Sequence, residues 1–221
     1  MKRLTLLITS ACLLASAAAF AQKQEPACGK PFSAKAVGGG SDEVWDVACQ
    51  GSLVSAARPG GRGVLLSDLR PKGRVLYLFP NSREYYEVPP AQLEEQDHNP
   101  MEHLPCSKQR ELAKEQPGRK VSCRKTGTAV VNGRKTDKYE TTGEELEAPV
   151  TEYWDPELQV IIKEQAGNRT TSELRDIKVG GVSVSMQVPA GWRKLTEEQY
   201  FAKMMAEAQP QEAQKGGARK K

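Results

Sequence analysis

The two histidines of this chain, His98 and His103, fall in the run HNPMEH. A zinc hydrolase needs two imidazoles on one helical face, as in H-E-x-x-H or H-x-x-E-H. Here the spacing is one residue too long, and Pro100 breaks any helix between them, so the run reads as a solvated loop. Cys28, Cys49, Cys106 and Cys123 are too widely spaced for the C-x2-4-C pairs of zinc sites. No serine has a G-x-S-x-G setting, and Ser41 in GGGSDE is a linker residue. Gly38-Gly39-Gly40 lacks the Lys-Ser/Thr of a phosphate loop. Glu94-Glu95 and Glu144-Glu145 are charge runs in segments expected to be exposed. No catalytic constellation, metal or other cofactor is expected. The residues left are apolar and aromatic: Val75, Tyr77, Phe79, Tyr86, Trp154, Val160, Ile162 and Trp192. Their chemistry is burial, either in a filled core or around an apolar guest.

The compartment is legible at the N-terminus. Lys2-Arg3 precede an apolar run from Leu4 to Ala19, and Ala19-Phe20-Ala21 fits a small-x-small cleavage site before Gln22. Residues 1–21 are expected to be a cleaved signal peptide, which places the mature chain in the periplasm or outside the cell. Cys12 is followed by Leu13-Leu14, which continue the apolar run, so a lipoprotein site is not expected there. The four remaining cysteines point to two disulfides in an oxidising compartment. Three pairings exist; Cys28–Cys49 with Cys106–Cys123 closes the shortest loops and is preferred.

The formal charge of +4 misstates the body of the protein. Between residues 22 and 214 there are 26 basic and 28 acidic side chains, a net of −2, with four cations gathered in the tail at Lys215, Arg219, Lys220 and Lys221. A near-neutral body excludes a nucleic-acid binder. The tail suits peripheral contact with an anionic membrane or polymer.

The elements that must position the aromatic set are mostly strands. The run RVLYLFPNSREYYEV, 74–88, is a pair of strands across Pro80-Asn81-Ser82, with adjacent Tyr85 and Tyr86 on opposite faces. Asn132-Gly133 between 121–131 and 134–141 is the strongest hairpin signal in the chain. Residues 150–154 and 158–164 flank Asp155-Pro156-Glu157, and 172–179 and 182–188 flank Gly180-Gly181. The run VSVSMQV, 182–188, alternates as a half-buried strand does. Residues 22–42 are expected to be an irregular Gly/Pro-rich arm pinned at Cys28, 43–208 a single β-rich domain, and 209–221 a disordered basic tail. Helices are expected within 90–120 and over 195–208, the latter with Thr196 as N-cap and Tyr200, Met204 and Met205 near one face. The fold class is α+β, mainly β: a curved antiparallel sheet or unclosed barrel of about eight or nine strands, with a helical insertion and a C-terminal helix.

Four stretches carry a resemblance: Tyr85-Tyr86; Gly127 with Val131-Asn132-Gly133, Asp137 and Tyr139; Trp154-Asp155 with Leu158; and Val188-Pro189-Ala190-Gly191-Trp192. In this order the chain resembles the LolA-like exported proteins of Gram-negative envelopes, nearest to a related branch of unknown function. The resemblance implies an unclosed antiparallel barrel with helices over its concave side, and an apolar space between them that holds a lipid or lipidated partner. Two departures stand out. A glycine-rich arm takes the place of a long first helix, and the insertion offers little apolar surface beyond Leu93, Met101, Leu104 and Leu112. The expectation is a non-catalytic envelope binding protein with its ligand in a sheet–helix cleft. The alternative is a structural or interaction module with a filled core. Either way, bulky residues from successive hairpins, Tyr77, Trp154 and Met186 among them, are expected to converge inside one bent sheet.

Overall fold

The computed structural model describes residues 28–38, 41–70, 72–95, 104–106, 109, 113–115, 118, 120–144 and 146–208. The signal-peptide segment, the basic tail, and His98 and His103 lie outside the described residues. No helix among the described residues is long and apolar enough to cross a membrane.

Local chemistry sets the turns first. Asn132 and Gly133 both take positive φ, 51° and 77°, closing the tight hairpin that the Asn-Gly pair foretold. The next hairpin is closed by Asp155, whose Oδ1 accepts the N–H groups of Glu157 at 2.9 Å and Leu158 at 3.0 Å. This explains the Trp154-Asp155-x-x-Leu158 pattern: the aspartate caps the turn, and Leu158 behind it is fully buried.

These turns connect a single sheet. In chain order its strands are β1 Phe32–Gly38, β2 Ser41–Gln50, β3 Leu53–Ala57, β4 Val64–Asp68, β5 Val75–Phe79, β6 Glu84–Glu87, β7 Val121–Val131, β8 Arg134–Gly143, β9 Val150–Asp155, β10 Val160–Ala166, β11 Arg169–Val179 and β12 Arg193–Lys194. Their spatial order is β12-β6-β5-β4-β3-β2-β1-β11-β10-β9-β8-β7. The architecture is therefore mainly β, with one large curved sheet that does not close. It consists of two antiparallel meanders, β1–β6 and β7–β11, joined where β1 pairs with β11. Two helices bear on the site, α1 Pro90–Glu95 and α2 Glu197–Ala208. α2 starts on a reciprocal capping box: Gln199 N–H donates to Thr196 Oγ1, and Thr196 N–H donates to Gln199 Oε1.

Two expectations are corrected. Residues 32–38, placed within an irregular arm, form β1 at the centre of the sheet. Phe32 and Ala34 are buried there, and the neighbouring Pro and Gly residues had masked the short alternation Phe32-Ala34-Ala36. β1 is fixed at both ends. Cys28 is bonded to Cys49 just before it, and at Gly38, φ 141°, an added Cβ would lie 2.3 Å from the Thr171 carbonyl oxygen. The Cys28–Cys49 and Cys106–Cys123 bridges are both present, which is the pairing preferred from loop length.

The second correction concerns 182–188. No ladder forms there, and β11 pairs instead with β10 and β1. Gly180 and Gly181 lead the chain off the sheet as a strap across one face, where Val184 N–H donates to Gln50 Oε1 at 3.0 Å. Val184, Met186 and Val188 pack on Leu66, Leu76 and Leu78, while Ser183, Ser185 and Gln187 face out. The alternation correctly announced one buried side, which a strap needs as much as a strand.

Candidate functional site

Direct cross-strand neighbours share a face of a sheet. The register gives an unbroken row across six strands: Ala34, Val47, Ala56, Leu65, Tyr77 and Tyr86. Small residues at Ala34 and Ala56 keep the β1–β3 half of this row low, while Tyr77 and Tyr86 raise the other end of it. α2 lies over that aromatic end. Its Tyr200 ring stacks on Tyr86 with centroids 4.3 Å apart and tilts against Tyr77 at 4.9 Å. Val75, Phe79, Tyr86, Val88, Leu195 and Tyr200 form the buried cluster beneath the helix. Burial, reinforced by Tyr77, pushes the Tyr200 hydroxyl well above the ordinary tyrosine range, so it stays neutral.

Charged contacts hold the helix on its seat. Glu84 on β6 pairs with Lys203 of α2 at 2.8 Å and with Arg193 of β12. Lys203, then Ser82 and Arg193, draw the Glu84 carboxyl down from 4.5 to about 2. Gln92 of α1 donates to Glu197 of α2 at 2.8 Å, so the short helix buttresses the longer one.

Beside this cluster α2 does not fill the space. A cleft of about 220 Å³ remains between sheet and helix. Trp45, Leu65, Tyr77 and Phe79 line it from the sheet and Tyr200 and Met204 from the helix, with Arg58 and Gly63 contributed by the β3–β4 connection. The Arg58 guanidinium lies over the Trp45 ring, 5.0 Å from its centroid. The arrangement can bury an apolar group against aromatic walls.

The aromatic set read from the sequence divides between different places. Val75, Tyr77, Phe79 and Tyr86 meet under α2, and of these Tyr77 and Phe79 line the cleft. Val160 packs instead in a second cluster with Cys28, Phe32, Cys49 and Leu158. Trp154 and Ile162 are buried on β9 and β10, away from the cleft. Trp192 packs with Met186 on the opposite face, under the strap. Tyr77, Trp154 and Met186 therefore do not share one interior. The hairpin 74–88 has bulky residues on both faces because both are covered, by α2 on one and the strap on the other. Trp45, Arg58, Leu65, Tyr200 and Met204 were not singled out as site residues. The i, i+4 spacing of Tyr200 and Met204 was the available signal for the helix side.

Cys106, Cys123 and Glu152 also bring ligand-type atoms within 4.8 Å of one another. The two sulfurs are bonded to each other, and Glu152 Oε2 accepts the Cys106 N–H at 2.7 Å. In that state neither sulfur is a thiolate ligand.

No family model and no curated protein sequence matches the chain. Solved structures show a distant likeness. An uncharacterized conserved protein from Thermus thermophilus is 10% identical, with 76% of this chain and 90% of that one covered, at a TM-score of 0.44. MucB in complex with MucA(peri) is 15% identical, covering 76% of this chain and 57% of its own, at 0.44; a MucA/MucB complex from Pseudomonas aeruginosa gives the same identity and score. PNGF-II is 8% identical, covering 80% and 33%, at 0.45. The chain thus spans little over half of MucB and a third of PNGF-II. Likenesses this remote concern the course of the chain and decide nothing about ligand or partner.

Proposed function

We propose that this chain is a non-catalytic binding protein of the bacterial envelope whose cleft under α2 takes one apolar chain or ring. The observation that carries the reading is the 220 Å³ space walled by Trp45, Leu65, Tyr77, Phe79, Tyr200 and Met204. Two disulfides fit a chain that folds in an oxidising, extracytoplasmic compartment, and the leader expected over residues 1–21 would direct it to the periplasm or beyond. Size limits the guest. Pockets for drug-sized ligands start near ~300 Å³, so this cleft suits one short chain, or the end of a longer one, rather than a whole lipid. Each buried methylene contributes about 0.8 kcal/mol, so a few suffice for weak, reversible binding.

A neutral hydrophobic fluorophore such as N-phenyl-naphthylamine tests the reading. It is expected to brighten with the folded protein. Leu65→Trp and, from the helix side, Met204→Trp fill the cleft and are expected to abolish the signal without lowering the melting temperature. No signal from the wild type, or equal signals from wild type and both fillers, overturns the reading. A second reading, an interaction module acting through its surface, is favoured by Phe201 and Met205, which are 55% and 68% exposed on α2. It predicts instead that Phe201→Ser with Met205→Ser abolishes partner crosslinking while dye uptake is absent throughout.

A further inference from the structure

The cleft has one charged group in its lining, Arg58. Its surroundings differ from those of the cations nearby. Arg62 is engaged by Glu43 at 2.7 Å, and Lys203 by Glu84 at 2.8 Å. No carboxylate among the described residues lies within ion-pair distance of Arg58. Its guanidinium instead rests over the Trp45 indole, 5.0 Å from the centroid. A cation over an aromatic ring is held by its charge and spends none of its five N–H donors on a hydrogen bond to that ring's edge. The side chain stands on a fixed base, since Arg58 N–H donates to the Gly63 carbonyl at 2.8 Å and closes the β3–β4 connection. A pre-oriented cation with unclaimed donors, beside an otherwise apolar cleft, is complementary to an amphiphile with one anionic head.

We propose that the cleft selects anionic amphiphiles: Arg58 receives a carboxylate or phosphate head by in-plane hydrogen bonds, and the chain enters between Tyr77, Leu65 and Met204. This rests on the cleft-binding reading above and adds the sign and placement of the head group. The geometry favours an anion over a neutral polar head because a second charge adds Coulomb attraction, and a carboxylate or phosphate can accept two guanidinium N–H bonds at once. Charge also gives the contact a salt dependence that chain burial lacks.

Displacement of the fluorophore by octanoate, octyl phosphate, octanol and octylammonium tests this. Either anion is expected to bind roughly tenfold more tightly than octanol, with octylammonium weakest. The two anions together show whether the head is carboxylate or phosphate. Arg58→Gln is expected to erase the preference, Arg58→Lys to retain part of it, and Arg62→Gln to leave both the preference and dye uptake intact. Octanol binding as tightly as the anions, or an anion preference that survives Arg58→Gln, overturns the proposal and leaves the cleft reading standing. Absence of dye uptake in the wild type overturns both.

Discussion

Asp155 does more than its place in a turn suggests. Its side chain is almost wholly buried, one oxygen capping two backbone N–H groups and the other facing Arg134, which also reaches Glu157 at 2.6 Å. Asp155→Ala leaves the largely buried Arg134 with Glu157 as its one remaining carboxylate partner among the described residues and removes both caps, so a loss of about 3 kcal/mol is expected, measurable as a drop in the urea midpoint at unchanged slope. Glu84 sets a pH response. Its carboxyl is depressed in the folded state, from 4.5 to about 2. Its stabilising contribution is therefore complete above pH ~4.5 and is lost as pH falls towards ~2. Glu84→Gln is expected to flatten the pH dependence of the melting temperature in that window relative to wild type; parallel curves would contradict the assignment. Asp155 and the Asn132-Gly133 turn were legible in sequence because their effect is local. Arg58 was not, because its importance lies in what stacks beneath it, and Trp45 comes from another strand.

At the scale of elements, the joint between the meanders is the informative part. β1 pairs with β2 on one side and β11 on the other, and Ala36 sits opposite both Trp45 and Leu174. Proline there removes a ladder donor in a central strand, so Ala36→Pro is expected to cost about 3 kcal/mol or more and to separate unfolding of the two meanders, seen as non-coincident transitions. Equal cooperativity with the wild type would show that β1 is dispensable. The hairpins of 74–88, 121–143 and 150–166 were readable because each joins neighbours in sequence. The β1–β11 pairing was not, since residues so far apart in the chain leave no local trace. Nor does alternation in 182–188 tell a strand from a strap, because both bury every second side chain.

For the whole molecule, the last stretch of chain matters out of proportion to its length. After the strap crosses one face, β12 runs along the outer side of β6, and α2 then covers the other face. Ending the chain after Lys194 strips the cover from Val75, Phe79 and Tyr86. The truncated protein is expected to bind an anionic hydrophobic dye strongly, to aggregate, and to melt earlier; a monodisperse product with wild-type stability would refute this role for α2. Sequence reading recovered the mainly β architecture but not this wrapping, because burial patterns show that a segment has an inner side without showing which surface it meets.

The same wrapping has a consequence for self-association. At one margin of the sheet β12 pairs with β6 over two residues, whereas β7 borders no further strand among the described residues at the other. Among the described residues, an added strand would meet an eleven-residue ladder at β7 and only a two-residue, doubly cationic one at β12. Two copies joined through β7 would use up the longer margin each possesses. A fibre requires β12 to peel away first, and the Glu84 ion pairs oppose that step.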